Sequence, residues 1–165
     1  MSNDITIKKG LDIKLKGAAE KVTENAIISN FCTVRPEDFH GVTPKLIARV
    51  GDKVKAGEPI FYDKTQEAVK FVSPVSGEIL DIPRGDKRRI LALKIQADKE
   101  QIFHDYGTFN VESATSESIK NHLLASGCWP FIKQRPYDVI ANPEKSPKAI
   151  FISGYASAPL VADYY

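Results

Sequence analysis

The feature that most constrains this chain is its density of corners. Between Gly41 and Gln96, short apolar segments alternate with turn-forming residues: Gly51-Asp52, Gly57-Glu58, Ser73-Pro74 and Arg84-Gly85-Asp86. Segments this short are poor helices but adequate strands. Lys45–Val50, Pro59–Tyr62, Val69–Val72, Gly77–Ile82 and Ile90–Ile95 all read as strands, and such a series predicts a small barrel or sandwich. A weak internal echo adds to this, because Gly51-Asp52-Lys53 and Gly85-Asp86-Lys87 lie 34 positions apart. Two similar β units could cover each other's apolar faces.

The flanks read differently. Ile5, Ile7, Ile13 and Leu15 alternate with polar residues around Lys9-Gly10, the pattern of two short half-buried strands. Ala26-Ile27-Ile28 and Phe31–Val34 are further strand candidates, and Pro36 then breaks the pattern. Past residue 112 a helix is expected near 115–126. Ser113 or Thr115 can cap it, Glu117 suits its first turn, and Gly127 stops it. Lys148–Ser153 is an apolar run that fits a fully buried strand opening an α/β unit. The chain reaches Tyr165 before a helix could follow, so this reading expects a truncated α/β domain.

Composition narrows the functional classes. With 23 basic and 21 acidic residues, the charge is too balanced to suggest a nucleic-acid partner. No apolar stretch is long enough for a direct membrane span, so membrane association would come through partners. Cys32 and Cys128 form no ligand spacing and are expected as free thiols. His40, His104 and His122 form no HxH, HxxxH or HExxH pattern, so no metal ligand is assigned. No cysteine cluster, dinucleotide fingerprint, P-loop or G-x-S-x-G elbow occurs, and no catalytic residue is assigned.

The segment Val50–Phe61, followed by Val72-Ser73-Pro74-Val75-Ser76-Gly77-Glu78, resembles the barrel-sandwich hybrid of biotinyl and lipoyl domains. Under a carrier reading, Asp63-Lys64 would hold the modified lysine. In lipoyl domains the lysine usually precedes the Ser-Pro-type proline by eight positions. Here Lys64 precedes Pro74 by ten, which lengthens or shifts the hairpin and favours a solvated lysine.

The ordered set of blocks along the chain resembles a different family. Ile7–Asp12 with Gly17-Ala18, Phe61–Lys64 with Val69–Gly77, and Pro83–Arg89 are each similar to segments of NqrA, a soluble component of the Na⁺-translocating NADH:quinone oxidoreductases. So are Ser126–Trp129, Arg135-Pro136-Tyr137 and Ala149–Ile152. The fold class expected is mainly β (α+β): a barrel-sandwich hybrid at 1–100, a linker with its helix at 101–147, and the first strand of a Rossmann-like α/β domain at 148–165.

The resemblance implies a component without a covalent cofactor of its own. It would be peripheral, held by other subunits at the cytoplasmic face of the bacterial inner membrane. Its complex would couple NADH-to-quinone electron transfer to Na⁺ export, with NADH, flavins and quinone handled by other subunits or regions. This segment would be a scaffold. Two alternatives stand beside it: a lipoyl or biotinyl carrier modified at Lys64, and the RnfC component of the related Rnf electron-transport complex. Arg84, Lys87, Arg88 and Arg89 form the one dense basic cluster, either a docking or anion patch or a solvated hairpin. Trp129 and Phe131 could line a quinone pocket, but residues of this kind more often pack a helix end onto a sheet.

Overall fold

A computed structural model describes residues 16–17, 20, 22–25 and 29–154. The strands expected around Ile5–Leu15 and at Ala26–Ile28 lie outside the described residues. The chain divides into two units, one of residues 28–146 and one of residues 1–27 with 147–165.

The larger unit is built on two antiparallel sheets. Its strands are β1 (Phe31–Val34), β2 (Pro44–Leu46), β3 (Lys53–Val54), β4 (Pro59–Asp63), β5 (Gln66–Val72), β6 (Gly77–Asp81) and β7 (Leu93–Ala97). One sheet has the order β1-β7-β6-β3 and the other β2-β4-β5. Alternation along β5, β6 and β7 sends Val69, Phe71, Ile79, Leu93 and Ile95 inward, while Glu78, Lys94 and Gln96 face solvent. In β4 the register shifts between Pro59 and Phe61, and this irregularity lets the consecutive Ile60 and Phe61 both be buried. The Phe61 and Phe71 rings stack at 4.4 Å, and Phe39 meets Phe71 edge-on at 4.6 Å. Burying each such side chain contributes about 1.5–3 kcal/mol.

The paired corners are two copies of one turn. In Arg49–Asp52 and in Lys55–Glu58, the N–H of the last residue donates to the carbonyl of the first, at 3.1 and 3.0 Å. The acid closes each turn from its side chain: Asp52 Oδ2 accepts from Arg49 N–H at 2.8 Å, and Glu58 Oε2 from Lys55 N–H at 2.9 Å. The third residue is Gly51 or Gly57, each with φ of 89°, as a type II turn requires. Each corner is then tied to a later segment, the first to the middle of β6 and the second to the residue just after β5. Gly51 N–H donates to Ile79 C=O (2.8 Å) and Ile79 N–H to Asp52 C=O (2.9 Å). Gly57 N–H donates to Ser73 C=O (2.7 Å) and Ser73 N–H to Glu58 C=O (2.8 Å).

The repeat is therefore six residues apart, not 34. Gly85 has an ordinary φ of −97°, and the left-handed residues of the second Gly-Asp-Lys are Lys87 and Arg88. The strand expected over Lys45–Val50 stops at Leu46 because Ile47 N–H and Ala48 N–H both donate to the one Ile60 carbonyl, at 2.9 and 3.1 Å, bending the chain into the first corner.

A strap of residues 101–106 crosses the second corner. Ala56 N–H donates to Ile102 C=O (2.9 Å), His104 N–H to Ala56 C=O (2.8 Å), and the Tyr106 hydroxyl to Gly57 C=O (2.6 Å). Beneath it, the buried Ser76 accepts from Ile102 N–H through its Oγ and donates its own N–H to Gln101 Oε1. Next come α1 (Ser116–Ala125) and a small hairpin of β8 (Lys133–Gln134) and β9 (Val139–Ile140). Thr115 caps α1 by accepting from Ser118 N–H. Gly127, just past the helix, lets it close on β5, since a Cβ there would stand 2.4 Å from Val72 Cγ1.

In the other unit, Pro147–Gly154 is exposed, and Phe151 is 93% accessible. The strand expected over 148–153 is not formed among the described residues. A strand of that kind needs a neighbour on each side, and no described strand pairs with it.

Candidate functional site

Four places in the larger unit gather polar or reactive side chains. The first is the β4–β5 hairpin, where Asp63 pairs with Gln66 and Lys64-Thr65 form a two-residue tip. The buried Asp63 carboxylate holds this tip, accepting from Thr43 N–H, Thr65 N–H and the Thr65 hydroxyl at 2.8–3.2 Å. Lys64 is exposed, while its backbone N–H donates to Thr43 C=O at 2.8 Å. The two extra residues before Pro74 thus do not move Lys64 off the tip. Between Tyr62 and Asp63 the register shifts within β5, from Lys70 to Gln66, and the hairpin still closes at Lys64-Thr65. The hairpin is nevertheless tied down beside Thr43 rather than standing clear of the sheet.

The second is a cleft of about 350 Å³ between the start of β5, α1 and the turn at Asn142–Glu144. Gln66, Asn121 and Asn142 bring carboxamides to it, and Lys120, Glu67 and Glu144 add charge of both signs to its lining. Gln66 Oε1 is buried there with no hydrogen-bond partner among the described residues. No periodicity or motif marks this cleft beforehand, because its residues come from three separate elements.

The third is an aromatic and imidazole cluster under the strap. His104 lies 4.5 Å from Tyr106, and Phe109 stacks on His122 at 4.4 Å. Tyr106 and His122 meet edge-on at 6.4 Å. Two histidines that look unrelated in sequence are thereby brought around one tyrosine. Burial raises the Tyr106 phenol above its ordinary value, with the nearby Cys128 and Glu58 adding to the effect. Among the described residues, no three His, Cys, Asp or Glu side chains are grouped to hold a metal ion.

The fourth is the loop joining β6 to β7, which carries Arg84, Lys87, Arg88 and Arg89, all exposed. The pair Trp129 and Phe131 divides. Trp129 is half-buried, and its Nε1–H donates to Ala141 C=O at 2.8 Å, fastening the small hairpin to the helix end. Phe131 is 75% exposed and meets Phe39 edge-on at 6.4 Å.

Two antiparallel sheets closed by paired glycine corners define a barrel-sandwich hybrid module with α-helical structure appended. The family described as the NqrA N-terminal barrel-sandwich hybrid domain matches residues 5–98, and the one described as the NqrA second alpha/beta domain matches residues 114–165. The chain belongs to the NqrA family. It is similar to the NqrA component of the Na⁺-translocating NADH-quinone reductase of Glaesserella parasuis, at 34% identity over 161 residues, 96% of this chain. The same component from a Marinomonas species is 33% identical over 158 residues and 94% of this chain, and that of Pseudomonas aeruginosa 33% over 161 residues and 96%. The chain spans 36% of the length of each of these relatives. No helix among the described residues is long and apolar enough to cross a membrane.

Proposed function

We propose that this chain serves as a docking scaffold within the NqrA component of a Na⁺-translocating NADH:quinone oxidoreductase. The observation that supports it is the ordered match of two successive NqrA domains over residues 5–98 and 114–165. In this reading NADH, flavin and quinone are handled by other subunits or regions. The chain is peripheral and held by those subunits at the cytoplasmic face. Its contribution is shape: sheet edges at β1 and β3, and exposed Phe103, Phe131 and Tyr137, offer contacts to partners.

The test is to purify the complex with its NqrA component carrying Phe103→Ser or Phe131→Ser. Reduced retention of partner subunits, with NADH oxidation lost in proportion to assembly, is the expected outcome. Flavin absorbance or NADH oxidation by the isolated chain would overturn the scaffold role.

A second reading, a carrier modified on Lys64, is favoured by the position of that lysine at a two-residue hairpin tip. Intact mass of the chain from its native host separates the two, since a carrier gains one prosthetic group and Lys64→Arg removes it. The RnfC alternative gives way to the NqrA family match.

A further inference from the structure

The loop between β6 and β7 closes as a narrow hairpin. Leu91 N–H donates to Pro83 C=O (3.0 Å), Gly85 N–H to Arg89 C=O (2.8 Å), and Arg89 N–H to Asp86 C=O (3.1 Å). At its tip Lys87 and Arg88 both take left-handed backbone angles, with φ of 53° and 62°. Side chains rarely adopt this conformation singly, and two in succession are rarer. The Lys87 N–H bonds to no described residue, and the tight turn at Asp86–Arg88 leaves the Lys87 and Arg88 side chains exposed.

The side chains agree with the backbone. Arg84 Nη1–H donates to Arg88 C=O at 3.3 Å, which folds its guanidinium toward the tip. Arg89 reaches Glu37 at 3.7 Å, but Arg84, Lys87 and Arg88 have no ion pair among the described residues. Asp86 is the one carboxylate on the tip. Leu80 and Leu91, on either side of the tip in sequence, remain 39% and 38% exposed, and Leu91 packs under Gly85. Unpaired cations on a hairpin flanked in sequence by part-exposed leucines suit a surface with phosphate outside and hydrocarbon within. An acidic polypeptide would use the cations and leave the leucines idle.

We infer that the Arg84–Arg89 tip binds phosphodiester headgroups and rests this protein on an anionic lipid surface. This goes beyond the scaffold reading, and neither stands on the other, because vesicle binding is measured on the chain without its partners.

The experiment floats the full chain with phosphatidylcholine vesicles, with and without phosphatidylglycerol. Binding is expected only with phosphatidylglycerol, and it should fade as salt rises. Lys87→Ser and Arg88→Ser should each weaken it roughly fivefold, with Trp129 fluorescence unchanged as the check on folding. Equal binding by the Arg84→Ser/Lys87→Ser/Arg88→Ser variant would overturn the assignment. So would perturbation of the Lys87 and Arg88 amides by inorganic phosphate without any vesicle binding, which would mark a site for free phosphate. Retention of an acidic protein partner with no vesicle binding would overturn it in favour of a protein surface.

Discussion

Gly77→Ala should cost more stability than any other glycine substitution in the sheets. Gly77 lies in β6, opposite Ala97 of β7 and Val54 of β3. A Cβ there would stand 1.9 Å from the Gln96 carbonyl oxygen and 2.8 Å from its carbon. Both are backbone atoms, so no rotamer change relieves the clash. Relief means parting β6 from β7 by about 1 Å, which combines an overpacking cost of roughly 1–3 kcal/mol with the weakening of ladder bonds worth about 1 kcal/mol each. A loss of about 3–4 kcal/mol follows.

Gly51→Ala is the matched control. Its φ of 89° is equally foreign to alanine, but nothing lies within 4 Å of its Cβ position. It should lose only the backbone contribution, about 1–2 kcal/mol. Urea unfolding followed by Trp129, the single tryptophan, reads both. With a slope of about 2 kcal/mol/M, the Gly77 variant should unfold roughly 1.5–2 M earlier than the wild type and the Gly51 variant under about 1 M earlier. Equal midpoints for the two variants at equal slope would refute the argument from close approach.

Further outcomes follow from single side chains. Asp63→Ala strips three donors of their acceptor in a partly buried hairpin, so a loss of about 2–3 kcal/mol in the same urea titration is expected. Asp63→Asn should recover part of it. Tyr106 has a raised phenol pKa, so as pH climbs past the ordinary value near about 10 the unfolded chain loses that proton first. Stability should fall in that window, less so in Tyr106→Phe, and absorbance titration of the phenolate checks the order of ionisation.

What could be read beforehand was local. Gly51 and Gly57 announced tight corners because a left-handed angle needs glycine, and Thr115 announced a helix start because its hydroxyl can cap. The strands at β5, β6 and β7 were legible as short apolar runs set between turn residues. Less was visible where distant segments meet. The β4 irregularity that buries Ile60 and Phe61 together depends on its partner strand, as does the shift that leaves Lys64 at a hairpin tip. The grouping of His104, Tyr106, Phe109 and His122 needs the strap to cross back beside the helix. The false echo at Gly85 shows the limit of matching letters, since identical tripeptides took different backbone angles under different hydrogen bonds.

The strap redraws where this β module can be cut. Its last strand ends at Ala97, but Ala56 N–H and C=O, Gly57 C=O, and Ser76 N–H and Oγ find their partners at Gln101, Ile102, His104 and Tyr106. A fragment trimmed flush with the final strand would open a wet seam along one side of the barrel. One carried through Tyr106 takes its own lid with it.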